Sequence, residues 1–239
     1  MLDFLISPIT INMPFIIIIA AFYVLINIRF HHHFLLRWIH FIPILLHEFG
    51  HAIFCQLTGG HVKDIVVVTS RRERNMTERT GFAITATRGK FNQFMTLIGG
   101  YLFPPIILLI SILCINYRYP VIFWFILMLI FIYYLFKTSR KWLPFAILII
   151  ILTFSYFMWR QPAYQYDLLN DFIYQLMIAV LLADTLLTSR TLTQVYFNGH
   201  PGWDGAALSR LTRIPAFIYY FFFIIVNIGS LYLALWLLF

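Results

Sequence analysis

Trp38-Ile39-His40-Phe41-Ile42-Pro43-Ile44-Leu45-Leu46-His47-Glu48-Phe49-Gly50-His51-Ala52-Ile53-Phe54-Cys55-Gln56-Leu57 is the stretch whose reading decides the fold. It is apolar over a length that suits a membrane-crossing helix, yet it carries His47, Glu48 and His51 in its second half. On an α-helix, residues four apart lie on one face, a turn above each other. His47 and His51 can therefore aim two imidazoles at one point, and Glu48 is close enough to reach a water held there. The chain has three glutamates, Glu48, Glu73 and Glu78, and one of them stands between these histidines. Ionisable groups inside a span are costly, and their presence points to function before structure.

The rest of the composition agrees with a membrane setting. The chain is 62% hydrophobic and only 11% charged over 239 residues. A soluble domain of that length would need far more polar surface. The expected class is an all-α polytopic membrane protein forming one unit over 1–239, with no separate soluble domain. The net charge of +8 reads as loop residues that set membrane orientation rather than as a nucleic-acid surface. The first apolar run is followed by Arg29, Phe30 and His31 rather than by a small-residue cleavage site, so it reads as a retained span. Two cysteines make no disulfide framework.

In order along the chain, residues 1–12 read as a short amphipathic lead. Spans are expected at about Asn12–Ile28, Trp38–Leu57, Phe94–Ile115, Val121–Phe136, Trp142–Trp159, Asp171–Leu187 and Pro215–Phe239, about seven in all. His31-His32-His33 could be a metal tract but suits a membrane interface better. Gly59 and Gly60 end the second span, as helix C-termini prefer. Residues 61–90 differ in kind. His61 to Val68 is short and β-branched, Arg71 to Arg79 is charged, and Phe82, Ile84 and Ala86 alternate with Ala83, Thr85 and Thr87. A β-hairpin at the membrane surface with a polar tip is expected. Its edge could take an extended peptide by strand addition, or the hairpin could simply pack on the spans. Gly99-Gly100-Tyr101-Leu102-Phe103-Pro104-Pro105 predicts a kink or break in the third span, with room beside the site or a purely structural role.

Seven spans divide the loops into two sets. Most of the 17 Lys and Arg fall in loops 58–92, 137–141 and 188–214. Arg29, Arg37, Arg118 and Arg160 lie on the other side. The positive-inside bias then puts the N-terminus and the histidine pair towards the cytoplasm of a multi-pass cell-membrane protein. Cys55 and Cys114 fall near opposite surfaces, too far apart to bond.

Two histidines four apart with an intervening Glu form the helix signature of zinc metalloproteases. A catalytic zinc takes three protein ligands and leaves one position for water. The third should come from the same side. Asp204, in Asn198-Gly199-His200-Pro201-Gly202-Trp203-Asp204-Gly205, is the first candidate, because Gly and Pro around it let the backbone turn inwards. It could instead be a helix N-cap ahead of Gly205-Ala206-Ala207-Leu208. Asp184, near the end of the sixth span, competes with it; His61, His200 and Cys55 are weaker.

His47-Glu48-Phe49-Gly50-His51-Ala52, Gly59-Gly60, Gly100-Tyr101 with Pro104-Pro105, and Asp204-Gly205-Ala206-Ala207-Leu208 leading to Leu211-Thr212 and Pro215 resemble the site-2 protease family of intramembrane zinc metalloproteases. The chain looks most like its compact bacterial peptidase-like branch, over about 40–239. In the larger family the later motif is an Asn and a Pro followed by Leu-Asp-Gly. Here Asn198 and Pro201 precede Trp203-Asp204-Gly205 at a shorter spacing. The resemblance implies Zn2+ held by His47, His51 and Asp204, Glu48 as general base, and cleavage of membrane-spanning or membrane-near peptides within a lipid bilayer. Two other readings use the same residues. One is a zinc-binding membrane scaffold that does not cleave. The other is a transporter with a broken third span, against which stand the absence of a repeat and the gathering of acids towards one side.

Overall fold

The structure, a computed structural model, describes residues 9–29, 34–68, 81–160 and 167–239. Eight helices and one hairpin are described: α1 (Met13–Arg29), α2 (Phe34–Leu57), β1 (His61–Val67), β2 (Gly81–Ala86), α3 (Lys90–Asn116), α4 (Pro120–Lys137), α5 (Trp142–Arg160), α6 (Asp167–Phe197), α7 (Asp204–Thr212) and α8 (Ala216–Leu238). The helices α3, α4, α6 and α8 are long and apolar enough to cross a bilayer, and α1, α2 and α5 supply shorter apolar segments. The all-α polytopic class follows. Large side chains such as Phe22, Phe125, Ile150, Ile225 and Trp236 stand on the outside, which suits lipid and would not suit water.

The helix α2 lies at the centre, with its broadest contact on α3 and with the hairpin on its flank. The helix α1 packs on α6, α4 on α5, and α8 on α3 and α6. Buried tyrosines tie the bundle through backbone carbonyls. Tyr134 of α4 donates to Leu45 of α2, and Tyr174 of α6 donates to Ser111 of α3 at 2.8 Å. Each phenol thus buries a large ring while its hydroxyl stays satisfied. Asn12 caps α1 by accepting from the Phe15 N–H at 3.0 Å.

The hairpin strands are antiparallel, from His61 opposite Ala86 to Val67 opposite Gly81, with an irregularity between Val62 and Asp64. Ile65, Val66 and Val67 are buried, because β1 packs on α2 and α4. The expected polar tip, Arg71 to Arg79, and the His31-His32-His33 tract lie outside the described residues, as does most of the 1–12 lead.

Two expectations need adjustment. The helix α3 runs unbroken through Gly99, Gly100, Pro104 and Pro105, so of the expected kink or break the break does not occur. Pro104 withholds the N–H that would bond the Gly100 carbonyl, four residues back. The helix α6 reaches Phe197, well past the Leu187 at which its span was expected to end. Its hydroxyls explain the extension: Thr185, Ser189 and Thr193 donate to carbonyls four residues back at 2.8, 3.0 and 2.9 Å. These polar residues satisfy themselves on the helix and need no loop.

Candidate metal centre

The site begins where α2 and α3 cross. Gly50 and Gly99 meet backbone to backbone: a Cβ on either would collide with the other's carbonyl oxygen. This close approach sets the two histidines of α2 against α3. The His51 ring meets the Thr96 carbonyl through Nδ1 at 2.7 Å. An imidazole that donates from Nδ1 to a carbonyl keeps its Nε2 lone pair for a metal, so the partner fixes both tautomer and ring direction. Gly100 forms the floor under both rings. A Cβ there would strike His51 Nε2 and Cε1 and lie 2.9 Å from His47 Cε1.

Asp204 comes from the far end of the chain. It is the first residue of α7, the N-cap position falls to Trp203, and no side chain caps the helix. Its carboxylate instead faces the histidines. Oδ2 lies 3.4 Å from His51 Nε2 and 3.8 Å from His47 Nε2. Its neighbours hold it there. Trp203 is buried, and its ring occupies the space where a Cβ on Gly205 would be. Leu208 anchors α7 in a cluster with Ile98, Trp203 and Phe223.

These three donors fit a zinc ion. Zinc bonds to imidazole and carboxylate are about 2.0–2.2 Å, so donors at tetrahedral corners stand about 3.3–3.5 Å apart. The two Nε2 atoms are 3.1 Å apart, and with the 3.4 and 3.8 Å separations they bracket that range. Two nitrogens and one oxygen are a zinc donor set, and one that iron, cobalt or nickel also accept. Among the described residues, His47, His51 and Asp204 are the group that could hold a metal ion, with candidate donor atoms within 4.8 Å of one another.

Glu48 is buried, at 6% exposure. It shares with His47 a cavity of about 240 Å3, whose walls include Pro43, Tyr101, Pro104, Asp184, Thr188 and Asn227. The first residue of β2 backs onto it: a Cβ on Gly81 would stand 3.0 Å from Glu48 Cγ and Oε1. Tyr101 packs edge-on against His47, with ring centroids 4.9 Å apart.

The structure brings Asp204 to the histidine pair and leaves Asp184 on the cavity wall. His61 and His200 are exposed and away from the group. Cys55 is buried, with Sγ 3.9 Å from Asn92 Oδ1, and both cysteines are free thiols. Sequence reasoning missed three contributors. The Thr96 carbonyl is a backbone group with no signature. Gly81 reads as an ordinary strand start. Asn227 lies in an apolar run with no motif around it.

The model of one family, described as Peptidase M50B-like, matches residues 16–234. No curated protein and no solved structure matches the chain.

Proposed function

Because the chain belongs to the Peptidase M50B-like family, a site-2 protease family of zinc metallopeptidases, we propose that it is an intramembrane zinc metalloprotease. Its substrates would be peptide bonds of membrane-spanning or membrane-near segments. The observation that carries this reading is the meeting of His47, His51 and Asp204 at tetrahedral spacing, because one helix and the distant start of another have no packing reason to place three such donors together. A zinc ion held by these donors would polarise a peptide carbonyl and lower the pKa of its water to about 7.

The chain's own residues do the rest. Glu48, buried beside His47, takes the proton of the attacking water and passes it to the leaving amine. The Thr96 carbonyl holds the His51 imidazole in register, so that part of the donor geometry exists before the reaction starts. A transmembrane substrate must unwind locally, because its carbonyls are otherwise bonded within their own helix. The strand β2 begins against Glu48 and offers an edge on which an unwound segment would lie as an added strand.

The orientation follows the basic residues. Lys63 lies in β1, Lys90 opens α3, Lys137 closes α4, Lys141 precedes α5, Arg210 lies in the last turn of α7 and Arg213 follows it; by the alternation of spans these residues are read as one side of the bundle. That side is read as cytoplasmic, and the whole of 1–239 as one membrane-embedded unit.

Zinc content and cleavage of a membrane-anchored reporter peptide test the proposal together. Glu48→Gln is expected to retain one zinc per chain and lose turnover. Asp204→Ala is expected to lose the zinc. Full turnover in the first variant, or unchanged zinc affinity in the second, would overturn it.

A further inference from the structure

Three buried polar side-chain atoms among the described residues have no hydrogen-bond partner: Trp124 Nε1, Asp171 Oδ1 and Asn227 Nδ2. Only the last belongs to a residue of the cavity that also holds Glu48 and His47. Asn227 is 1% exposed, in the middle of the most apolar part of α8. A buried amide donor without an acceptor is destabilising, and native structures keep such groups where something else pairs with them.

The same cavity is lined by Asp184 of α6, 8% exposed. It is the acid that the metal group leaves unused. Asp184, Thr188 and Thr191 follow one another at i, i+4 and i+7 on one face of α6, all three lining the cavity. Their exposure rises from buried through half-buried to exposed. This polar stripe therefore runs inwards from the surface, while Pro43, Ile44 and the Pro104-Pro105 pair supply an apolar wall of the same cavity. The proline nitrogens of that wall carry no N–H. An incoming chain finds few backbone donors there.

We propose that Asn227 and Asp184 clamp the backbone of an extended substrate segment, Asn227 donating to a peptide carbonyl and Asp184 accepting a peptide N–H. The inference rests on the protease reading and names what the cavity recognises. A peptide unit taken out of its helix exposes one donor and one acceptor, both costly in a bilayer. The cavity presents the complementary pair: an amide nitrogen that can only donate and a carboxyl oxygen that accepts. Backbone recognition of this kind is blind to side-chain identity. It selects segments that unwind readily over segments of particular sequence. Asn227 and Asp184 are positioning residues, distinct from the metal donors and from Glu48.

The test uses the full chain in phospholipid vesicles loaded with Co2+, whose visible spectrum reports binding at the metal. Two probes are titrated: acetohydroxamate, which carries no peptide, and N-acetyl-dileucyl hydroxamate, which extends a backbone into the cavity. Acetohydroxamate is expected to bind the parent, Asn227→Leu, Asp184→Leu and Asp184→Asn alike. The peptidyl probe should bind the parent more tightly. That advantage should fall about tenfold in Asn227→Leu and in Asp184→Leu, the scale of one net hydrogen bond, and should survive within about twofold in Asp184→Asn, which keeps an acceptor oxygen. N-methylation of the probe's two peptide nitrogens, one at a time, should remove the same share at one of them in the unmodified protein, with no variant involved. An undiminished advantage in Asn227→Leu, or no advantage for the peptidyl probe in the parent, overturns the clamp while the metal site stands. A cobalt spectrum indifferent to acetohydroxamate overturns the metal-site reading, and the clamp with it.

Discussion

Adding one methyl group at Gly100 should empty the metal site. The added Cβ would lie 2.5 Å from His51 Cε1 and 2.9 Å from His47 Cε1. Carbon atoms settle at about 3.5–4.0 Å, so the His51 ring must retreat by about 1 Å or α2 and α3 must separate by as much. Separation would forfeit the close Gly50–Gly99 packing of the crossing. A zinc–nitrogen bond tolerates only about 0.2 Å. The ring therefore leaves the coordination sphere, and its bond to the Thr96 carbonyl is broken with it. Disturbing an orienting partner alone costs about 10- to 100-fold in metal affinity. Displacing a donor as well should cost at least about 100-fold, or about 2.7 kcal/mol. Overpacking should lower stability by about 1–3 kcal/mol in addition. Gly100→Ala is measured by competition with a zinc chelator and by thermal unfolding in detergent. Gly229→Ala on α8, where a Cβ meets nothing within 4 Å, serves as control and should be neutral or slightly stabilising, since alanine is the better helix former. Zinc affinity within about threefold of the parent in Gly100→Ala would refute this reasoning.

Pro104→Ala restores an N–H that can bond the Gly100 carbonyl; helix stability should rise, measured as a higher Tm. Gly81→Ala places a Cβ 3.0 Å from Glu48 Cγ and Oε1; a shift of a few tenths of an ångström should lower kcat several-fold with zinc content unchanged, read by reporter cleavage and metal analysis. Asn92→Ala removes the amide that donates to the Cys55 carbonyl at 2.7 Å and to Thr58 Oγ1 at 2.5 Å where α2 ends. It should lower stability by about 1–3 kcal/mol, seen as a lower Tm, and leave zinc affinity alone.

Elements whose cause is local were legible in the sequence. The histidine pair follows from helical periodicity alone. Gly59 takes φ 90° at the end of α2, as its place after an apolar run foretold. The strands at 61–67 and 81–86 follow from β-branching and alternation. Asp204 could be proposed from the few acids available, the Gly and Pro around it and the family resemblance, but nothing local distinguishes an acid that starts a helix from one that turns away from it. The extent of α6 was obscured because Thr185, Ser189 and Thr193 look like loop residues until their back-bonding is known. Gly100 read as a flexible point in α3, whereas its importance is the absence of a side chain beneath two rings. That property belongs to the crossing of two helices, and no window of sequence contains it. Asn227 is illegible for the same reason, since its surroundings come from α2, α3 and α6.

The order of the donors along the chain bears on biosynthesis. The imidazole pair is translated early and enters the bilayer with α2, whereas the carboxylate follows only after α1 to α6 have been made. On the proposed reading, a nascent or prematurely terminated product thus carries two of the three donors and holds an ion only weakly. On this reading the polypeptide stays harmless to its neighbours at the translocon until its penultimate helix has emerged from the ribosome.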